Sequence, residues 1–504
     1  MINLATESRP EVLRQVARLQ QQENDHLHRR LAVLVQALAE AQGRDAEAAL
    51  QLELEGLRAQ LARMQQQLFG RSSEQRSTPA ADAETPQSPA PARRGHGPRV
   101  QPALPLVEVV HTLDDADRAC TACGGALTEM ADQCEESEEI DLVERSYRIV
   151  RHRRQKYRCR CGGCVETALG PAKLVPGGRY SIDFAVAVAV GKYLDHLPLA
   201  RQVRQMARAG LGVETQTLFD QLVALHRHLL PSYEALHARV LGAPVVGADE
   251  TVWPLLDKGG GKRWYAWPIT APDAVFYRVD PSRSAEAAGK ILRDYAGVVV
   301  CDGYSAYGAL ARARDGPGAR RFTLAHCWAH VRRKLFECEP AFPQAAEALD
   351  LIGQIYDVEA EAKKATVDDP HAYLACLRRD RSAPLIEQLR AWMHAQRVLP
   401  QSGLGKAIAY TDGLWPGLVR FLGDSAIPLD NNATERALRG VVVGRKNHYG
   451  SKSLRGTQVA ALFYSLLESA KLIGVDPAAY LAEATRRAIA NPGTVTLPID
   501  LATG

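Results

Sequence analysis

No run in this 504-residue sequence approaches the roughly 18 apolar residues needed to span a bilayer. Phe184 to Val190, the sequence Phe-Ala-Val-Ala-Val-Ala-Val, is far too short. Met1 to Pro10 lacks the apolar h-region of a secretory signal, so the expectation is a cytoplasmic protein with no membrane partner. Charge of one sign is not in excess either. The formal net charge of +4 says little about partners, and only the distribution of charge is informative. Cysteine is scarce outside one window. Six of the ten cysteines fall between Cys120 and Cys164, which in a reducing compartment reads as metal binding rather than disulfides. Proline is missing between Pro10 and Pro79, so nothing there breaks a long helix.

That proline-free stretch is rich in Leu, Ala, Gln, Glu and Arg. Leu27, Leu31, Leu34 and Leu38 alternate spacings of four and three. Leu50, Leu54, Leu57, Leu61, Met64 and Leu68 do so again in a shifted phase. A 3.5-residue period is that of a coiled-coil seam, so residues 10–70 are expected to join protomers into a homodimer or higher oligomer. An amphipathic helix packed on its own protein is the competing reading. Residues 71–104 collect Ser, Ala and prolines (Pro79, Pro86, Pro89, Pro91, Pro98) and read as a disordered linker.

Residues 105–170 form a cysteine module. Cys120-Thr-Ala-Cys123-Gly-Gly is a knuckle in which two thiolates bracket a tight turn, and Cys159-Arg-Cys161-Gly-Gly-Cys164 supplies a second half. Four sulfurs in tetrahedral array suit Zn²⁺. By CxxC spacing the ligands are Cys120, Cys123, Cys161 and Cys164, with Cys159 the alternative in the second half; Cys134 has no partner at ligand spacing. Between the halves and into the second runs a basic block that includes Arg145, Arg148, Arg151, Arg153, Arg154, Lys156, Arg158 and Arg160. Such a block favours a DNA phosphate backbone, although a solvated strand face has the same composition.

From Tyr180 to about Leu241 apolar positions recur at helical spacing, so residues 171–242 read as a helical DNA-binding domain. The period then changes. Arg263–Ile269 and Ala274–Val279 look like strands paired around Ala271-Pro-Asp273, a helix fits Ala285 to Tyr295, and Val298–Val300 is a further strand. That is the opening order of a ribonuclease H-like fold. The first part of this core covers 243–335, a helical insertion 336–426, the second part with its own helix 427–465, and a C-terminal helical region 466–504.

Acidic residues stand where such a core would need them. Asp249 ends the apolar run Pro244-Val-Val-Gly-Ala, Asp302 ends Gly297-Val-Val-Val-Cys, and Glu435 lies where a helix should begin. Carboxylates converging from two strand ends and a helix could bind hard divalent cations such as Mg²⁺ or Mn²⁺. A two-metal site clamps both the attacking and the leaving oxygen of a phosphoryl transfer. Singly, each acid has a bland explanation: Asp at a strand end is a common turn former, and Asn432-Ala-Thr-Glu435 loosely fits a capping box. His326 and His330, at i and i+4 before Arg332, Arg333 and Lys334, would share a helical face; with no third ligand near in sequence to complete a zinc site, packing or a substrate contact is favoured over zinc binding. Arg439, one turn beyond Glu435, could face a phosphate or pair with Glu435. Arg436, Arg445 and Lys446 extend the basic cluster.

In order along the chain stand Gly247-Ala-Asp249-Glu-Thr251, Cys301-Asp302-Gly303-Tyr304, His326-Cys-Trp-Ala-His330-Val-Arg-Arg333-Lys334, Asp430-Asn-Asn-Ala-Thr-Glu435-Arg436 and Arg445-Lys-Asn447. Jointly they resemble the bacterial insertion-sequence transposases of the IS sixty-six type, and the resemblance includes Phe69-Gly-Arg-Ser-Ser-Glu74 and the zinc module. It implies a DDE transposase with Asp249, Asp302 and Glu435 as catalytic and Mg²⁺-binding residues, acting on double-stranded DNA at element ends and target sites, with small accessory proteins of the same element. The 53 residues from Asp249 to Asp302 and the 133 from Asp302 to Glu435 leave room for the inserted helices. His448 and Tyr449 depart from the bulkier apolar aromatics expected after Asn447.

Overall fold

The computed structural model describes residues 146–158, 165–257, 260–312 and 322–502. The expected coiled coil and linker, the zinc-module cysteines Cys120, Cys123, Cys159, Cys161 and Cys164, and Arg145 lie outside these residues. What is described of the basic block ends in a hairpin: β1 (Lys156–Arg158) pairs antiparallel with β2 (Val165–Thr167), with Arg158 opposite Val165. These strands bracket the second cysteine cluster in sequence.

A mixed α/β architecture follows. Helices α1 (Ile182–Tyr193), α2 (Leu199–Arg208) and the long α3 (Thr215–Leu241) precede the sheet. The sheet is built from β3 (Val245–Ala248), β4 (Thr251–Asp257), β5 (Gly260–Ala271) and β6 (Ala274–Asp280), then, after α4 (Ala285–Leu292), β7 (Val298–Cys301). Helix α5 (Ser305–Arg312) leads towards the last strand, β8 (Thr323–His326). β3, β7 and β8 run parallel, while β5 is antiparallel to β3 and β6 to β5. The hairpin of β5 and β6 turns through Pro272-Asp273, with Ala271 opposite Ala274. Pro fixes its own φ and Asp bonds its local backbone, a good turn pair. Strand β4 carries on from β3 after a break at Asp249-Glu250 and pairs with the first half of β5.

Alternation along the central strands sends side chains to two cores, as the pleat requires. Val246, Val299 and Cys301 join one cluster with α1, α3 and the C-terminal helices. Val300 and Ala325 join the other, with Val245 and Val298 against it. The helices that follow are α6 (Trp328–Cys338), α7 (Ala345–Lys364), α8 (Pro370–Leu377), α9 (Ala383–Ala395) and α10 (Gly403–Leu418), and all but α8, which buries no residue, build that second core. A π-helical turn, Arg378–Ser382, links α8 to α9. Its Arg378 is buried and hydrogen-bonds Glu359 and the carbonyls of Phe421, Asp424 and Ile427. The chain between Phe421 and the next helix is thereby held to the helical core.

The remaining helices are α11 (Asn432–His448), α12 (Leu454–Leu472) and α13 (Pro477–Ala490). Ser453 and Asp476 cap the last two through their side chains, satisfying otherwise orphaned amides. α12 is buried along most of its length and covers β6. Its Ser465 and Ser469 hydroxyls, one turn apart, accept from the amides of Tyr277 and Val275, and Ser469 also donates to the Val275 carbonyl. A helix thus closes a strand edge that would otherwise offer unpaired backbone. Among the described residues no helix is long and apolar enough to cross a membrane.

Candidate active site

Parallel register brings the two aspartates together. Gly247 on β3 lies opposite Val300 on β7, and continuing that register by two residues sets Asp249 beside Asp302. Cys301 is in turn opposite His326 on β8, so the loop after β8 begins at the same level. Strand carboxyl ends in an open α/β sheet are where such folds collect ligands, because loops there can converge on one point.

Helix α11 is fixed over those ends by polar contacts at its start. Asn431 donates through Nδ2 to the Ala248 carbonyl at 2.9 Å, and its amide donates to Cys327 Sγ at 3.2 Å. Thr434 donates to Asn431 Oδ1 at 2.6 Å and shares a 2.7 Å contact with Thr270 on β5. The helix approaches so closely that a Cβ on Gly247 would stand 2.1 Å from Thr434 Oγ1 and 2.5 Å from Asn431 Oδ1. Glycine is required here by space alone.

The loosely expected capping box does not form. Asn431, not Asn432, is the cap, and its side chain caps no helix amide, because Oδ1 is taken by the Thr434 hydroxyl while Nδ2 is spent on β3; Asp430 accepts from the Asn432 amide instead. Glu435 is therefore not engaged as a capping carboxylate. Nor does it pair with Arg439 among the described residues; the side chain that faces it is His330, with Nδ1 3.7 Å from Oε1. Both of those atoms are buried without a hydrogen-bond partner. His326 does not share a helical face with His330, since it ends strand β8 while α6 starts at Trp328. It packs against Gly417 and lies 3.7 Å from Cys301 Sγ, a core contact.

Asp302 accepts from the Tyr304 amide at 2.9 Å across Gly303, whose φ of 87° is one that other residues rarely adopt. Its carbonyl accepts from Tyr410 of α10 at 2.6 Å, which ties the loop to the helical core. Asp249 accepts from the Glu250 amide at 2.7 Å. Burial pushes the Asp249 carboxyl up to about 7, and the charges of Glu250, Asp302 and Glu435 push the same way against that one amide. Sequence reading passed over Glu250. It is buried, takes Arg283 at 2.8 and 2.5 Å on one oxygen and Tyr307 at 3.3 Å on the other, and so is closed off by its partners. Its burial beside a candidate acid was invisible in a motif of three consecutive polar residues. Among the described residues, Asp249, Asp302 and Glu435 have no arginine or lysine partner of this kind. An acid cluster that is half-buried and mutually repelling fits a hard divalent cation, which takes carboxylate oxygens and removes the repulsion.

The basic residues divide. Arg436, Arg439 and Lys446 are exposed on α11, as are Arg333 and Lys334 on α6, while Arg332 is half-buried. Lys334 stands over the Tyr410 ring. Arg445 turns inward, donating to Thr251 Oγ1 and the Val252 carbonyl, and braces α11 against β4. Arg151, Arg153, Arg154 and Lys156 are exposed before or on β1, with Arg154 also donating to the Ala168 carbonyl, and Arg158 closes that strand.

Comparison with known proteins agrees with this layout. The family model described as "Transposase IS66 family" matches residues 177–459. "Zinc-finger binding domain of transposase IS66" matches 117–162, a span that contains Cys120, Cys123, Cys159 and Cys161 and stops short of Cys164. "Transposase C of IS166 homeodomain" matches 56–109. Similar proteins include the uncharacterized protein y4jD of Sinorhizobium fredii (strain NBRC 101917 / NGR234), 34% identical over 372 residues, 71% of this chain and 72% of the relative. The uncharacterized protein y4qI of the same strain is 32% identical over 364 residues, 69% of this chain and 67% of its own length. With the first of these models spanning more than half of the sequence, this chain belongs to the IS66 family of transposases.

Proposed function

We propose that this chain is a DDE transposase that binds the ends of an insertion sequence, cleaves DNA there and joins the cut ends to a target. The observation that carries the reading is the uncompensated acid cluster: Asp249 and Asp302 at neighbouring parallel strand ends, with Glu435 brought to them on a separately docked helix. The strand order β6-β5-β3-β7-β8, in which β5 alone runs against the other four, is the order expected of a ribonuclease H-like sheet and supports the same reading. On this reading, the helices between β8 and α11 would be an insertion before the Glu.

Asp249, Asp302 and Glu435 would hold two Mg²⁺ or Mn²⁺ ions. Bound metal would supply Lewis-acid activation of the attacking oxygen and neutralisation of the leaving 3′-oxygen. Asn431 and Thr434 keep Glu435 in register with the strand ends, and Gly303 and Tyr304 hold the Asp302 carboxylate. Arg436, Arg439 and Lys446 present charge on the exposed side of the Glu435 helix, suited to positioning the phosphate backbone. Arg333 and Lys334 offer the same on α6. Arg151, Arg153, Arg154, Lys156 and Arg158 would engage the terminal repeats beside a zinc ribbon of Cys120, Cys123 and two of Cys159, Cys161 and Cys164. The coiled coil would join protomers so that two DNA ends meet, with accessory proteins of the element assisting in the bacterial cytoplasm.

The test is a cleavage and strand-transfer assay with DNA carrying the element's ends, Mg²⁺ or Mn²⁺ against EDTA, and Asp302→Asn alongside. Metal-dependent joining should occur and be lost in the variant, with end binding retained. Cutting without joining would reassign the chain to the metal-dependent nucleases. End binding without cutting, even with the accessory proteins added, would make it a DNA-binding regulator.

A further inference from the structure

The Glu435 end of the acid cluster offers more than carboxylate. His330, in the first turn of α6, faces Glu435 across the 3.7 Å gap, too wide for a good hydrogen bond. Both facing atoms are buried and orphaned. Cys327, the cap residue of α6, adds a buried thiol, and the three donor atoms all lie within 4.8 Å of one another. Orphaned buried polar atoms are costly, so two of them aimed at one gap beside a sulfur call for an occupant.

The gap has the dimensions of an ion site. With bonds of about 2.3 Å to sulfur and about 2.0–2.2 Å to nitrogen and oxygen, a tetrahedral ion holds its donors roughly 3.3–3.7 Å apart. His330 and Glu435 already stand at that separation, and the sulfur needs to close by only about 1 Å. The donor chemistry selects the ion. Magnesium takes oxygen ligands, whereas sulfur, imidazole nitrogen and carboxylate oxygen together suit a borderline ion such as Zn²⁺ or Co²⁺. His330 and Glu435 keep 23% and 30% of their side chains exposed, which leaves an entry path.

We propose that Cys327, His330 and Glu435 form a site for a transition-metal ion of the zinc class, distinct from the cysteine ribbon and touching the acid cluster through Glu435. Binding releases the Cys327 thiol proton to solvent, and the thiolate keeps the Asn431 amide as its hydrogen-bond donor. An ion held there would fix the Glu435 carboxylate to α6. The inference rests on donor geometry rather than on transposase activity, so its readout is metal and not DNA.

The full chain, its ribbon filled with Zn²⁺, is titrated with Co²⁺. A saturable visible d–d absorption of the tetrahedral type is expected, and His330→Asn should abolish it. Cys327→Ser should lose the near-ultraviolet thiolate-to-cobalt band while retaining a weaker visible one, which keeps the test open if His330→Asn does not fold. Thermal melting reports the folding of both variants. No saturable band in the unmodified chain, or an undiminished band in folded His330→Asn from cobalt entering the ribbon, overturns the site. Failure of the transposase reading would look different: absent strand transfer with the cobalt band intact.

Discussion

Arg378 and the acid cluster both hold charge back from solvent, and they solve the problem in opposite ways. Arg378 is 1% exposed and uses all five guanidinium N–H groups, on both Glu359 oxygens and the carbonyls of Phe421, Asp424 and Ile427. Asp249, Asp302 and Glu435 crowd like charges together, with single amides on the aspartates and an orphaned oxygen on the glutamate. The first set is complete within the fold and has nothing left to bind. The second is incomplete by itself. Completeness of hydrogen bonding, rather than burial or charge, is what separates a structural ion pair from a ligand site here. Glu250 sharpens the point, because it adjoins Asp249 in sequence yet belongs with Arg378 in kind.

Substitutions can break this contrast from either side. The largest effect is expected at the closed site. Arg378→Met leaves Glu359 buried without its partner and should cost about 3–5 kcal/mol, read as a lower denaturant midpoint. Gly247→Ala comes next. It drives a methyl into Thr434 and Asn431, should cost about 1–3 kcal/mol, and should abolish cleavage by displacing the Glu435 helix.

The open site should respond with the opposite sign. In EDTA, Asp249→Asn is expected to raise Tm, and with Mg²⁺ present it should abolish cleavage. The folded carboxyl sits near 7 and the unfolded one near 3.8, so the folded state holds the extra proton between those values. Stability contributed by Asp249 therefore falls as pH rises from about 4 to 7, and the Asn variant should flatten that slope. A gain of a few degrees at neutral pH is the expected size, since about 1 kcal/mol moves Tm by roughly 2–4 °C in domains of 150–250 residues. A lower Tm in the variant would mean that Asp249 is held by partners, like Arg378.

Much of the sheet was legible because its strands are short apolar runs closed by polar or turn residues. Pro244–Ala248 and Gly297–Cys301 point to strands that end at Asp249 and Asp302, and the hairpin turn at Pro272-Asp273 was plain. Strand β4 was not, because Pro254 sits inside it. There the proline is tolerated at a sheet edge, where its carbonyl accepts from Ser451 and no strand needs its missing amide. Packing was the right role for His326, but its shared face with His330 was misjudged because helical spacing was counted across the β8-to-α6 junction. The docking of α11 was hidden altogether: it depends on Asn431, Thr434, Thr270 and the bare Cα of Gly247, which are far apart in the chain. Closeness of that kind is a tertiary property, and short-range pattern carries no trace of it.

The serine-studded helix that seals β6 also sets a timetable. Ser469 lies 194 residues after the amide it accepts from. At a synthesis rate of roughly 5–20 residues per second, the strand leaves the ribosome about 10–40 s before the hydroxyls that cover it. Throughout that interval the nascent sheet has an open margin and lacks Glu435 for much of the time. A product truncated before α12 would keep that margin permanently, and is expected to aggregate rather than persist as an inactive competitor for DNA ends.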